Sequence, residues 1–496
     1  MSHLLKKNKN ILNILRYLIS SIIIFSIVYA VLNFEGNKIL LFLYAILINF
    51  IFYLSFHKNS SFYEFFFGIL LWLGFWFKFF LVFIFTKNAM YEGLSLNFIN
   101  LSSSDKINIL NNALITSCFA FIGYILASFL TKQLLKNTTY YFDHNDNFLI
   151  RFQKLFIFLI IILIIFISYF NIENLIYQRG MISRSDFPFY VNGIIKWLLL
   201  FGFSSIISIF IFYNLKNKKL LYFLSFFSII EASISNLSYL SRASIFNTFS
   251  VFFGIYKSNK FFKLNLNLKY FITYFFLIIF FFLVTSSAVN LMRTYYFNFA
   301  DNNDIKLEFN VESKSLEFKE GDVVVVDNYN NLNKAFIEIL SLVGNRWVGI
   351  DAVISVENYK NKSFLLFYNS FFENFNSKEL AYYERIIHQD TKNLNSLTYG
   401  IKTPGLVGFL YFTGSKFFLF MSIFIITFCF ICFEKYIRRI LLNPIFCCLI
   451  MQVIAYRFAH FGYLPKQSYL LFGSIILTIL IHYIFSKIFV KKINHK

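Results

Sequence analysis

Seven arginines stand where an apolar chain has least use for them: Arg179, Arg184, Arg242, Arg293, Arg346, Arg385 and Arg457. Each lies between long apolar runs or at the edge of one. An ionisable side chain in or beside a membrane span is costly, which makes it a candidate for function. Arginine offers a planar fork of donors that grips phosphate oxygens two at a time, and it stays charged beside lipid. Several arginines arriving at one place from different runs suit a pyrophosphate. Arg242 and Arg346 are the candidates to act on the reacting group. Arg179, Arg184, Arg293 and Arg457 are the candidates to hold the substrate. His388 and His460 fall on the same predicted side and titrate in the range a general base needs. Asp351 and the other carboxylates around it are alternatives for that proton. Plainer roles compete: Arg293 can snorkel to headgroups, Arg346 can pair with Asp351, Arg457 can pair with Glu231, and Lys78 can reach outward along its own run. Arg385, beside Glu384, reads as surface.

The elements that must position these residues are membrane spans. The chain of 496 residues is 58% hydrophobic and 14% charged, with 73 Phe, whereas globular proteins carry roughly 25% charged residues. Apolar runs long enough to cross a bilayer recur from end to end. They predict an all-α polytopic fold of about 12 transmembrane helices, near 11–33, 39–56, 62–86, 108–131, 155–171, 191–214, 220–237, 243–257, 270–290, 415–434, 444–462 and 468–489. The first run has no small-residue cleavage site after it and reads as a retained span. Lys and Arg clusters fall in alternate loops, which places both termini in the cytoplasm. That alternation also accounts for the net charge of +21 without nucleic acid as a partner. Cys429 and Cys432 form a C-x-x-C inside a span and read as packing residues. No metal-ligand spacing and no P-loop appears, so neither metal nor nucleotide is expected. No internal repeat supports an inverted-repeat transporter.

Three stretches follow: 1–290 with nine spans, 291–403 as a large outer insert or lid, and 404–496 with a re-entrant piece and three spans. The insert holds 15 of the chain's 25 acidic residues and 12 of its 46 lysines and arginines. It is slightly acidic on a strongly basic scaffold, so an anion would rest on arginines of both. Residues 305–326 alternate apolar and polar, which predicts short strands. Residues 331–356 carry apolar positions at helical spacing, with a kink expected at Gly344 or Gly349. SFLLFYNSFF and ELAYYERIIH predict two short helices at the membrane surface. TPGLVGFLYF, from Thr403, is apolar but too short to span, which suits a segment protected within the protein.

This layout, with YQRGMISRSDFPFYVNGIIKWLLLFG (Tyr177 to Gly202), SYLSRAS around Arg242, NRWVGIDAV around Arg346 and TPGLVGFLYFTGS, resembles the bacterial oligosaccharide repeat-unit polymerases, the Wzy-type O-antigen polymerases. The resemblance covers about residues 150 to 470 and rests on topology and loose motifs. It implies a multi-pass glycosyltransferase of the bacterial inner membrane, working in lipopolysaccharide and polysaccharide biosynthesis on the periplasmic face. The donor would be an oligosaccharide on undecaprenyl pyrophosphate, with membrane lipids and a chain-length regulator as further partners. Charge develops on the departing pyrophosphate, where placed arginines would stabilise it with no cofactor or metal. Neighbouring expectations are an O-antigen ligase, which shares the donor, and a lipid-linked oligosaccharide flippase or other transporter, which would spread its cations along a central cavity.

Overall fold

A backbone in hydrocarbon has no water to bond with, so it must satisfy its own N–H and C=O groups. Helices do this within one segment, and among the described residues the regular structure is helical throughout. The computed structural model describes residues 2–57, 59–85, 98, 101–135, 152–178, 187–188, 190–241, 243, 245–262, 264, 266–301, 344, 347–373, 381–388, 403–462 and 465–489, with the side chains of 2–16, 133–135, 294–301, 388 and 485–489 outside the description. The first half runs α1 Ser2–Asn33, α2 Lys38–Ser55, α3 Phe62–Phe85, α4 Ser103–Leu135, α5 Gln153–Asn174, α6 Val191–Tyr213, α7 Lys218–Ser238, α8 Ile245–Phe262 and α9 Leu268–Asp301. The second runs α10 Ile350–Asn358, α11 Phe364–Phe371, α12 Tyr382–His388, α13 Gly405–Leu410, α14 Lys416–Leu441, α15 Pro444–Ala459 and α16 Pro465–Phe489. Among the described residues, nine helices are long and apolar enough to cross a membrane, and Tyr17–Asn33 and Pro444–Ala459 are shorter apolar helices. Among the described residues the chain is an all-helical multi-pass membrane protein.

The helix ends differ from the apolar runs in informative places. α9 continues eleven residues past 290, so the insert begins as a helical extension. α14 continues past 434 to Leu441. There Glu434, four residues before Arg438, pairs with it, and its two oxygens accept the N–H groups of Phe62 and Tyr63 at 2.8 Å each. A carboxylate thus satisfies the free amides at the start of α3. The Arg438 guanidinium lies 4.3 Å from the centre of the Phe62 ring. This end of the bundle also receives the lysine-rich turns around 214–218 and 257–269 and is called the basic end below. The opposite end, where the 347–413 segments lie, is the insert end.

α15 is the central post, with most of its residues buried, from Pro444 to Ala455 and again at Phe458. It packs against α3, α6 and α8, and Gly254 of α8 admits the backbone of Ile445 because it has no Cβ. The insert does not sit apart from this core. α10 is buried from Ile350 to Val356 and packs against α4 and α13. The expected break at Gly349 is present: residues 347–349 are non-helical and α10 starts at Ile350. The two expected short helices form as α11, which is largely exposed, and α12, which buries Tyr383, Glu384 and Ile386. TPGLVGFLYF becomes α13 and a 3-10 turn at Tyr411–Thr413, buried from Gly405 to Phe412. The predicted strands at 305–326 lie outside the described residues.

α4 and α14 touch backbone to backbone. A Cβ added at Gly123 would stand 2.5 Å from the Phe420 carbonyl oxygen, whereas one added at Gly473 meets nothing within 4 Å. Gly123→Ala is therefore expected to cost about 1–3 kcal/mol through overpacking, and Gly473→Ala close to nothing. Thermal unfolding of the two variants in detergent checks this; equal melting temperatures would contradict the contact.

Candidate functional site

The corners that join the helices at the insert end are tied together by buried polar side chains. α5 ends where Leu175 takes a left-handed φ of 46°. One turn earlier, the buried amide of Asn171 donates to the carbonyls of Tyr177 (3.1 Å) and Ser238 (2.8 Å) and accepts the Tyr177 N–H (2.9 Å). Gln178 donates back to the Asn171 carbonyl at 3.0 Å. The Tyr177 ring stacks on Tyr239 with centroids 5.6 Å apart. The segment entering Arg179 is thereby fastened to the α7–α8 corner, which carries Arg242.

That corner is tight: Leu240 adopts φ 53°, a left-handed conformation that non-glycine residues rarely hold. Its carbonyl accepts Nε–H of Arg293 at 2.9 Å. Arg293 therefore reaches across to a protein carbonyl two residues from Arg242. Beyond the corner, Phe246 lies edge-on to Trp347, centroids 6.3 Å apart, and 5.2 Å from Tyr456. Tyr456 stacks on His460 at 4.4 Å, and Nδ1 of His460 lies 3.1 Å from the Tyr456 carbonyl oxygen. Arg457, in the last turn of α15, donates from Nε to the Ser468 hydroxyl at 2.7 Å.

One expected pairing and one expected orientation are corrected. Glu231 does not serve Arg457; its carboxylate accepts the hydroxyls of Ser204 (2.8 Å) and Ser235 (3.0 Å). Glu231 stands seven residues before the end of α7, about 10 Å down the helix axis, whereas Arg457 is at the end of α15. Lys78 does not snorkel outward. Its side chain is 2% exposed and its ammonium meets Asp351 Oδ2 at 2.7 Å; the expected pairing of Asp351 with Arg346 lies outside the described residues. Arg179, Arg184, Arg242 and Arg346 lie outside the described residues, and His388 contributes only its place at the end of α12. The described structure brings their neighbours together: Tyr177 and Gln178 precede Arg179, Leu240 precedes Arg242, Trp347 follows Arg346, and Tyr456 precedes Arg457. Two connected sets result, Asn171–Tyr177–Tyr239–Leu240–Arg293 and Trp347–Phe246–Tyr456–His460, joined along the chain through the α7–α8 corner.

One group was not singled out from the sequence. Glu373, just after α11, accepts the Tyr382 N–H at 2.8 Å through Oε1, and its Oε2 is buried without a hydrogen-bond partner among the described residues. Burial pushes its carboxyl up from the usual 4.5 to about 7, against the pull of the Tyr382 amide and of Arg385. Two residues earlier, the Phe371 carbonyl accepts the hydroxyl of Tyr469 at 3.1 Å, and Tyr469 follows Ser468, the partner of Arg457. Nothing in the local sequence marks Glu373, because the groups that surround it, Tyr382 and Arg385, come from α12.

In comparison with known proteins, no protein-family model, no curated protein and no solved structure matches the chain. The chemistry must be read from the site. Cationic segments gathered at one end of an apolar bundle suit a lipid-borne anion, and a carboxyl titrating near 7 suits proton transfer at neutral pH.

A raised carboxyl pKa carries a stability signature. The folded state holds the Glu373 proton more tightly, so the stabilisation is complete below about 4.5 and is lost as pH rises through about 7. Glu373→Gln is expected to unfold at a higher temperature than the wild type above pH 7, with the difference closing towards pH 4.5. A constant difference across that range would contradict the assignment.

Proposed function

We propose that the chain is a glycosyltransferase that polymerises oligosaccharide repeat units carried on undecaprenyl pyrophosphate. The observation that supports this reading most is the pair of connected sets at the insert end: the residues beside Arg179 and Arg242 with Arg293, and the residues beside Arg346 and Arg457 with Phe246. In the proposed topology, α1, α8 and α15 join the nine longer helices as spans, twelve in all. The basic end faces the cytoplasm, as the positive-inside rule directs, and the insert end faces the periplasm across the bacterial inner membrane.

The reaction is then a displacement at the anomeric carbon of the growing glycan. The glycosidic bond to undecaprenyl pyrophosphate breaks, and its electron pair leaves on the pyrophosphate. Arginine donors placed where that charge develops lower the barrier. The acceptor hydroxyl of the next lipid-linked unit loses its proton to a base and forms the new bond. His460, His388 and Glu373 are the groups in this region with the chemistry to accept it, and in each case the basic form is the unprotonated one. The undecaprenyl tail lies against the apolar flank of the bundle.

The test is complementation of a deletion strain with single variants, read as the length distribution of surface polysaccharide. Removing one charge-stabilising donor costs about 10²–10³ in rate, so Arg242→Ala, Arg346→Ala and Arg457→Ala are expected to leave short glycans at normal protein level. Unchanged long chains in all three would sink the arginine site. Full-length lipid-linked polymer that is no longer transferred to its final acceptor would indicate a ligase. Repeat units trapped on the cytoplasmic leaflet would indicate a flippase.

A further inference from the structure

Lys78 is a charged residue deep in an apolar helix, and the arrangement around it is too specific for a solubilising role. α3 is not a plain α-helix. It contains two π stretches, Leu73–Phe77 and Phe80–Phe85, and the Lys78 N–H donates to the Leu73 carbonyl, five residues back. Such a turn accommodates one extra residue, so the helix beyond it is rotated by about 100°. The rotation is used at once. The Gly74 backbone, inside the first π stretch, lies directly against Val348 and Gly349: a Cβ at Gly74 would stand 2.0 Å from the Val348 carbonyl oxygen, and one at Gly349 would stand 2.1 Å from that of Gly74.

One turn along, the Lys78 ammonium makes two bonds to the same short segment. It meets Asp351 Oδ2 at 2.7 Å and donates to the Trp347 carbonyl at 2.9 Å. The other Asp351 oxygen accepts the Gly349 N–H at 3.2 Å. Residues 347, 349 and 351 are thus closed into one circuit around a single buried cation. The Trp347 ring in turn rests on Phe246, which touches Tyr456.

We propose that Lys78 is a positioning residue: with Asp351, it clamps the Trp347–Asp351 segment onto the π turn of α3 and so sets where Trp347 enters the site beside Phe246 and Tyr456. This inference rests on the function proposed above. An apolar pair of the same size would fill the space, and replacing a buried ion pair by apolar groups is often neutral for stability. It would not hold the Trp347 carbonyl. A purely structural pair and a positioning pair therefore predict different results when both charges are removed together.

The experiment uses the full chain in nanodiscs, with undecaprenyl pyrophosphate as the probe. Lys78→Met alone leaves the Asp351 charge buried and unpaired, so its expected loss of folded protein is not diagnostic by itself. The double variant Lys78→Met with Asp351→Asn leaves no unpaired charge. It is expected to unfold within a few degrees of the wild type, yet to bind undecaprenyl pyrophosphate at least tenfold more weakly. Amide hydrogen exchange at Val348 to Asp351 is expected to quicken at least tenfold. A folded double variant with wild-type affinity, or with unchanged exchange at these amides, overturns the inference. If the wild type itself does not bind undecaprenyl pyrophosphate, the proposed function fails, and the exchange measurement alone decides the clamp.

Discussion

The backbone of Val348 and Gly349 rests against the backbone of Gly74, and that contact joins the described start of α10 to the membrane bundle. The approach is this close because Gly74 and Gly349, which face each other, carry no Cβ, and it requires that the buried peptide groups beside it be satisfied. Both conditions are met. The π turn offers Gly74 to the insert, and Lys78 and Asp351 bond the carbonyl of Trp347 and the N–H of Gly349. Around this seam, α10 and α13 are as buried as any membrane helix. The part of the insert from Ile350 to Val356 is consequently built into the core, while the helix that follows, α11, is largely exposed.

The same economy of polar groups recurs at both ends of the molecule. At the basic end, Glu434 joins the start of α3 to Arg438 on α14. At the insert end, Asn171 joins α5 to the end of α7, and Arg293 joins α9 to the following corner. Within the bilayer, Glu231 is held by two serines from neighbouring turns and helices. Each such group is expensive to bury alone and specific when paired, so it selects one packing of otherwise interchangeable apolar helices. Apolar surfaces rich in phenylalanine pack in many ways, whereas a buried carboxylate with two donors admits few.

Much of the architecture was legible in the residues. The helix pairs and corners follow the apolar runs closely, because hydrocarbon leaves the backbone little alternative to a helix. The interruption at Gly349 and the short helices α11 and α12 follow from glycine placement and helical spacing, and the burial of the 403–412 segment follows from an apolar run too short to span; that this segment is the helix α13 was not legible. The extensions of α9 and α14 were missed, since a helix can leave the apolar layer without a change of geometry and hydropathy marks only the layer. Lys78 was visible as an anomaly, but its partner lies 273 positions away in the chain. Pairing at that distance has no local signature. Arg457 and Glu231 illustrate the reverse: opposite charges in two spans invited a pairing that their depths do not allow.

For this protein the amino-acid order by itself determined a multi-pass helical chain with its cations at helix ends and its acidic residues concentrated in one insert. Those properties follow from transfer free energies of single side chains and from backbone hydrogen bonding, which are local. Only the tertiary structure decided that Lys78 serves Asp351, that Arg293 serves the Leu240 carbonyl, and that Glu373 is buried enough to titrate near neutral pH. Those properties depend on which helices touch and at what depth, and that choice is made by close backbone contacts and a few buried polar pairs that no single segment contains.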